Sequence, residues 1–198
     1  MPIVKGQPAL ILASSSPYRK KLLARLQLPF ACISPGINET AGKHETAEQL
    51  VIRLAREKAE RIARDYDNAI IIGSDQVLRL GEKILSKPGN HAGAVKQLEL
   101  ISGNQVNFLT GLCVLNAATK TCQTACISYR VTFRKLDNNE IERYLVKEKP
   151  YDCAGSFKSE ALGVTLMSET GEGDSTALIG LPLIKLAEML RKEGFELP

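Results

Sequence analysis

The chain carries the stretch LASSSPYRKKLL at residues 12–23, directly after the apolar residues 9–11. A strand that runs through three serines into Pro17 predicts a strand-to-helix turn, because proline fits the first turn of a helix. Ser16 is then the expected N-cap. The free N–H groups at the start of such a helix, together with Arg19, favour an anion such as phosphate. These residues alone leave open an ordinary turn with a solvated basic face.

Strands and helices alternate along the rest of the chain, which predicts an α/β protein. Residues 76–80, followed by the turn Gly81-Glu82, predict a hairpin, and such hairpins make the sheet mixed. We expect one domain over residues 1–198. The predicted helices cover residues 17–27, 46–65, 90–103, 137–147 and 182–194, and the other strands cover 9–13, 29–34, 69–73, 104–117 and 122–134.

The composition narrows the class of partner. Apolar residues make up 44% of the 198 residues and charged residues 24%, which supports a folded core and excludes a disordered chain. A net charge of +4 suits a polyphosphate ligand. Because only 5% of residues are aromatic, with no Trp and no basic tail, we expect no nucleic acid as a partner.

The cysteines and the hydropathy indicate a cellular compartment. The five cysteines form an odd number without a Cys-x-x-Cys pair, which predicts free thiols in a reducing environment. No apolar run approaches the roughly 18 residues that cross a membrane. The N-terminus lacks the charge-then-apolar pattern of a secretory leader. We therefore expect a soluble cytoplasmic protein with no membrane partner.

Two charged residues stand where apolar side chains are expected. Lys58 lies on the apolar stripe of its predicted helix, four residues after Leu54 and four before Ile62. It either snorkels to the surface or reaches a buried anion. Asp75 follows the buried strand 69–73 at its carboxyl end, where α/β sheets place ligand chemistry. It could hold a metal or activate a water, or simply cap a turn.

Three further segments are undistinguished when each is taken alone. Glu39 lies in a polar loop, and Lys87 follows the predicted hairpin in Ser86-Lys87-Pro88. The small residues of the segment 154–160 would let the backbone approach a ligand closely.

Together these segments resemble the Maf proteins, a family of nucleoside triphosphate pyrophosphatases. The resemblance covers almost the whole chain, in the family's order. Its pieces are LASSSPYRKKLL (12–23), INE (37–39), AREKA (55–59), IIGSDQV (71–77), SKP (86–88), SGNQVNFLTGL (102–112), CAGSFKSE (153–160) and IGLPL (179–183).

The resemblance implies a fold, a reaction and a set of site residues. The fold is inosine-triphosphatase-like, as in the Maf and Ham1 proteins, with two lobes around a central cleft. The reaction cleaves a nucleoside triphosphate to the monophosphate and pyrophosphate with a divalent cation such as Mg, Mn or Co. Asp75 is implied as the catalytic base and a metal ligand, and Glu39 as a second metal ligand. The implied phosphate contacts are Ser14, Arg19, Lys58 and Lys87.

Three positions resemble the members of the family that act on 7-methyl-GTP. Those members carry an aromatic residue, Gln and Glu where this chain has Tyr18, Gln76 and Glu160; members acting on dTTP and UTP carry Arg, Thr and Gln. N7-methylation gives guanine a positive charge, which an aromatic face attracts. A carboxylate accepts hydrogen bonds from both the guanine N1–H and its amino group, and a uracil edge offers no such pair of donors.

Two positions depart from that pattern. Tyr18 replaces the Trp that is frequent there and is a weaker partner for a cation. Ala161 replaces a Gly and would cost about 1 kcal/mol if the position required a positive φ.

The resemblance therefore implies a pyrophosphatase acting on 7-methyl-GTP. A dTTP or UTP pyrophosphatase of the same family is the nearest alternative. A non-catalytic regulator of septum formation is the alternative from another class. A homodimer is implied by the resemblance only.

Overall fold

The computed structural model describes residues 8–198, which form a mixed α/β structure. Residues 1–7, with the predictions that concern the N-terminus, lie outside this range. The described helices are α1 (Pro17–Ala24), α2 (Ala47–Ala63), α3 (His91–Ile101), α4 (Asn138–Glu148), α5 (Ser175–Ile179) and α6 (Leu183–Lys192). The described strands are β1 (Ala9–Ala13), β2 (Ala31–Ile33), β3 (Ala69–Leu80), β4 (Lys83–Leu85), β5 (Gln105–Asn116), β6 (Cys122–Phe133) and β7 (Met167–Thr170).

The sheet is mixed, as predicted. Its strand order is β2-β1-β3-β5-β6-β7, and β4 pairs with β3 off this path. The pairs of β1 with β2 and with β3 are parallel, whereas β3 with β4 and β6 with β7 are antiparallel. The predicted hairpin at Gly81-Glu82 is the β3–β4 pair.

The helix starts follow the capping signals in the sequence. Thr46 and Asp137 both form complete capping boxes, with Gln49 and Glu140 respectively as the reciprocal partners. Asn90 caps α3 through its side chain, which accepts the N–H of Gly93.

Strand β3 is longer than predicted. The sequence indicated a strand over 69–73, because the polar pair Ser74-Asp75 interrupts the apolar run. In the structure the strand continues to Leu80, and residues 69–75 are all buried. Both polar side chains have partners, so that burying them is tolerated. Asp75 therefore lies within the strand and not at its carboxyl end, which corrects the prediction.

The segment after α4 also differs from expectation, because it contains elements that the sequence did not indicate. These are two short 3-10 turns (154–156 and 162–166), strand β7 and helix α5. Their lengths, three to five residues, are too short for a periodic apolar pattern to develop.

The chain divides into two compact units. The first consists of residues up to Asp75 with Thr110–Ile127 and Gly180–Pro198, and the second of Gln76–Leu109 with Ser128–Ile179. A core of the first unit packs Ile11, Ile71 and Cys113 with the small residues Ala55 and Ala59 of α2. The core of the second unit is built from β3, α3, α4, β5 and β6 and includes the aromatic residues Phe108, Tyr129, Phe133, Tyr144 and Phe157. The predicted single domain and central cleft stay predictions.

Helix α2 packs directly on the sheet of the first unit because two strand residues lack side chains. A Cβ on Gly73 would lie 1.9 Å from the carbonyl oxygen of Ala55. A Cβ on Gly111 would lie 2.0 Å from that of Val51. Any side chain at either position would push α2 away from the strands.

Candidate functional site

The turn between β1 and α1 has the predicted form. Ser16 is the N-cap, its hydroxyl accepts the N–H of Arg19, and Pro17 occupies the first turn. The hydroxyl of the buried Ser14 accepts the N–H of Ser16 at 3.1 Å. No acidic residue lies in the first turn of α1. The positive end of the helix dipole at this turn is therefore not offset by a local acidic side chain.

Arg19 is partly buried and oriented by the backbone of a distant segment. Its Nε donates to the carbonyl oxygen of Gly180 at 2.8 Å. Burial lowers the pKa of the guanidinium from its ordinary value, while the negative charges of Asp75 and Glu39 act in the opposite direction. Arg19 thus lies close enough to interact electrostatically with Asp75 and Glu39, the two carboxylates that the resemblance implies as metal ligands.

Lys58 does not snorkel to the surface. Its side chain is buried, and its Nζ lies 2.6 Å from Oδ1 of Asp75 and 2.7 Å from Oε1 of Glu39. The three residues come from different parts of the first unit: a loop, helix α2 and strand β3. One ammonium group therefore holds two carboxylates and offsets part of their negative charge.

The close approach of α2 explains how Lys58 and Asp75 meet. Alternate residues of a strand share a face, so Asp75 lies on the same face of β3 as Gly73, which α2 contacts. Lys58 lies three residues beyond Ala55, the contact point on the helix, and therefore on the adjoining turn. The missing side chain at Gly73 brings the lysine within reach of the strand.

Three of the predicted site residues belong to the second unit. Gln76 is held there by its side-chain amide, which donates to the carbonyls of Ala177 and Leu178 at 2.7 and 3.1 Å. Lys87 and Glu160 are exposed. The backbone before Lys87 is tied down, since the carbonyl of Ser86 accepts the side chain of Gln97 at 3.0 Å.

The small residues at 154–156 allow close packing within the second unit. A Cβ on Gly155, whose φ is +66°, would lie 2.3 Å from Cδ1 of Leu78. Ser156 is fully buried and its hydroxyl donates to Gln97. The small side chains allow this segment to pack closely against β3 and α3. That they also let a ligand approach the backbone stays a prediction. Phe157 lies in the core of the second unit.

The departure at Ala161 carries no backbone strain. Its φ is −134°, a conformation that any residue adopts. The positive φ angles of this segment fall instead on Gly155 and Ser156.

Glu39 and Asp75 have the chemistry to hold a hard divalent cation. Their carboxylate oxygens both lie within hydrogen-bonding distance of the same Lys58 nitrogen, so that they converge on one place. Among residues 8–198, no three His, Cys, Asp or Glu side chains form a common ligand group. Two carboxylates, with the remaining positions left to phosphate and water, match the way Mg²⁺ is bound beside nucleotides.

Two residues that the sequence analysis did not single out complete the arrangement. Ser74 is fully buried, and its hydroxyl lies 2.9 Å from the carbonyl oxygens of both Gly111 and Gly180. Gly180 has a φ of +116°. A polar residue inside a continuous apolar run and a glycine just before Leu-Pro were the signals available in the sequence.

Comparison with known proteins identifies the family of this chain. The family model described as "Maf-like protein" matches residues 9–193. A protein of Pseudomonas syringae pv. tomato named "7-methyl-GTP pyrophosphatase" is 56% identical over 96% of this chain and 100% of its own length. A protein of the same name from Pseudomonas aeruginosa is 52% identical, with the same coverage.

A solved structure supports the fold class. The Ham1 protein of Staphylococcus aureus superposes with a TM-score of 0.54 and 14% identity, covering 93% of this chain and 99% of that one. At this identity the likeness concerns the fold alone. No helix within residues 8–198 is long and apolar enough to span a membrane.

Proposed function

Because the chain belongs to the Maf family, we propose that it hydrolyses 7-methyl-GTP to 7-methyl-GMP and pyrophosphate. The names of relatives that are more than half identical over nearly the whole chain support the substrate. The observation that carries the chemistry is the buried Lys58, bound to both Asp75 and Glu39.

Asp75 is the proposed general base. Its Oδ1 is engaged by Lys58, and we assign Oδ2 to the water that attacks the α-phosphorus in line. The water proton passes to the carboxylate, the bond from the α-phosphorus to the bridging oxygen breaks, and pyrophosphate leaves. The bond from Lys58 holds the carboxylate in one orientation while this happens.

The proposed triphosphate contacts are one hydroxyl group and several cationic side chains of this chain. Ser14 contributes from the turn before α1, and Arg19 from the first turn of that helix. Lys58 has a third N–H beyond the two used by the carboxylates. Lys87 is included as a further phosphate contact because the family resemblance implies it. Charge that develops on the departing pyrophosphate is stabilised by these fixed donors.

Glu39 and Asp75 are the residues that would hold the divalent cation. When bound, such a cation supplies Lewis-acid polarisation of phosphoryl oxygens and neutralises part of their charge. Mg²⁺ and Mn²⁺ are candidates because both ligands are carboxylates, and the family resemblance adds Co²⁺.

Tyr18, Gln76 and Glu160 are the proposed contacts to the base. Tyr18 offers an aromatic face to the cationic methylguanine, and Glu160 offers a carboxylate to its N1–H and amino hydrogens. The side-chain amide of Gln76 is already oriented by two backbone carbonyls, so the side chain loses little rotamer freedom when the base binds.

The test is pyrophosphate release from 7-methyl-GTP, GTP, dTTP and UTP with Mg²⁺, Mn²⁺ or Co²⁺. We expect a strong preference for 7-methyl-GTP, reduced in Glu160→Gln. Preference for dTTP or UTP would retain the reaction and overturn the base assignment. Absence of turnover with every nucleotide would overturn the enzymatic proposal in favour of a binding role.

We extend the proposal to location and assembly. The five free cysteines support a cytoplasmic location. A nucleotide is the proposed partner, without nucleic acid or membrane, and a homodimer follows the family resemblance. Sedimentation equilibrium tests the assembly.

A further inference from the structure

Gly180 presents one carbonyl oxygen to two groups that lie far from it in the sequence. That oxygen accepts the Nε–H of Arg19 at 2.8 Å and lies 2.9 Å from the hydroxyl of Ser74. We propose that Ser74 and Gly180 are positioning residues that fix the direction of the Arg19 guanidinium. The inference rests on the proposed function, in which Arg19 binds the triphosphate.

The hydroxyl of Ser74 ties Gly180 to the sheet. Ser74 is fully buried, and its single proton faces two carbonyl oxygens, those of Gly180 and of Gly111 in β5. Each acceptor would be left with a poorer partner if the hydroxyl were removed. The segment that begins at Gly180 is thereby held to two neighbouring strands by one side chain.

The backbone conformation of Gly180 directs its carbonyl. Its φ of +116° is one that residues with a side chain rarely adopt. Pro182 follows two residues later and is the N-cap of α6. The carbonyl direction is thus set by the glycine and by the constrained start of the helix.

A bond at Nε is a suitable way to aim an arginine. The guanidinium is planar, so holding Nε restricts the plane and leaves the two terminal amino groups to other acceptors. Those amino groups are the ones that match two phosphate oxygens. Without the carbonyl, the side chain would have to lose more rotamer freedom on binding substrate.

Neighbouring positions of β3 therefore serve two parts of the reaction. Asp75 faces α2 and Lys58, whereas Ser74 points to the other side of the strand and reaches Gly180. Strand β3 therefore positions the proposed base directly and the proposed phosphate-binding arginine through Ser74 and Gly180.

The deciding experiment is a double-mutant cycle on 7-methyl-GTP hydrolysis with Ser74→Ala and Arg19→Lys. Lysine keeps the charge but has no Nε–H fork. We expect Ser74→Ala to raise KM about tenfold with a smaller change in kcat. In the Arg19→Lys background the same change should alter KM less than about twofold. Equal effects of Ser74→Ala in both backgrounds would overturn the proposal.

A matched control separates positioning from general destabilisation. Ser102 also bonds a distant backbone segment, since its hydroxyl accepts the N–H of Leu136 at 2.7 Å. Ser102→Ala should lower the melting temperature without changing KM. Gly180→Ala strains the backbone itself, so the Ser74→Ala variant is the one that decides.

A second readout does not depend on activity. In 15N NMR the Nε–H of Arg19, identified by its disappearance in Arg19→Lys, should exchange slowly with water in the wild-type protein. Its exchange should be at least severalfold faster in Ser74→Ala and unchanged in Ser102→Ala. Fast exchange in the wild type would contradict the positioning role even if the enzyme is active. Slow exchange in a protein without turnover would contradict only the proposed function.

Discussion

Lys58 and Asp75 form an ion pair with 2.6 Å between Nζ and Oδ1, and only 5% and 10% of the two side chains are exposed. Glu39 shares the same ammonium group but is 41% exposed. Lys58 therefore has one carboxylate partner in the protein interior, Asp75, and another at the surface, Glu39. Removing the lysine leaves one buried charge without compensation, whereas removing Glu39 leaves none.

Asp75→Asn should abolish turnover without unfolding the protein. An amide of the same shape cannot take the proton from water, so we expect kcat to fall by about 10² to 10⁴. Asp67→Asn, the same change at an exposed position before β3, should leave kcat unchanged. Single-turnover pyrophosphate release measures both, and a near-wild-type rate for Asp75→Asn would rule out its role as base.

Lys58→Met should destabilise the fold as well as the activity. Breaking a buried pair by removing one partner costs about 3 kcal/mol in the free energy of unfolding. Urea denaturation measures this, with Lys96→Met on the exposed surface of α3 as the control. The double variant Lys58→Met, Asp75→Asn should regain part of the loss, because no buried charge then remains. If the losses in the free energy of unfolding from Lys58→Met and Asp75→Asn simply added in the double variant, the ion pair between the two residues would be contradicted.

Gly73→Ala should separate α2 from the sheet. The new Cβ would lie 1.9 Å from the carbonyl of Ala55, so the helix must move. We expect a loss of about 3 kcal/mol in the free energy of unfolding, and lower activity because α2 carries Lys58. Gly42→Ala is the control, since its nearest contact would be 3.4 Å away. Crystal structures or urea melts that show no change at Gly73→Ala would contradict the close packing.

Much of the fold was accessible from the sequence, because its signals are local. The Ser16-Pro17 start of α1 and the capping boxes at Thr46 and Asp137 all lie within a few residues of the helix that they begin. Each of these patterns contains both the capping residue and the backbone group that it binds, so the helix start can be recognised from the local sequence.

The site was accessible only in part, because its geometry depends on contacts between distant segments. Lys58 and Asp75 could each be singled out, but nothing local showed that they bind each other. The continuation of β3 through Ser74 depends on carbonyls at positions 111 and 180, which supply the partners that a buried hydroxyl needs. Local rules therefore ended the strand too early.

Cys122 should be alkylated at neutral pH in the reduced protein. Its Sγ lies 3.1 Å from that of Cys113, and the hydrogen bond from Cys113 lowers the pKa of Cys122 to about 7. The same contact, with burial, raises the pKa of Cys113. Because the thiolate is the nucleophile, alkylation of Cys122 should increase as the pH rises through 7.

Cys32 provides the comparison for this prediction. It is exposed, but burial of part of the side chain raises its pKa, so its alkylation should increase only at more alkaline pH. Peptide mass spectrometry after iodoacetamide treatment at a series of pH values measures both sites. Cys113→Ala removes the donor and should shift the Cys122 profile to higher pH. If the alkylation of Cys32 and of Cys122 depended on pH in the same way, the proposed hydrogen bond between Cys113 and Cys122 would be contradicted.

The two glycines beneath α2 bear on any attempt to build this chemistry elsewhere. Copying Glu39, Lys58 and Asp75 into another α/β protein would reproduce the charges but not the distance between helix and strand. That distance is set by the absence of side chains at Gly73 and Gly111. A working graft would therefore have to begin with a helix that touches bare strand backbone at two points, and only then add the charged groups.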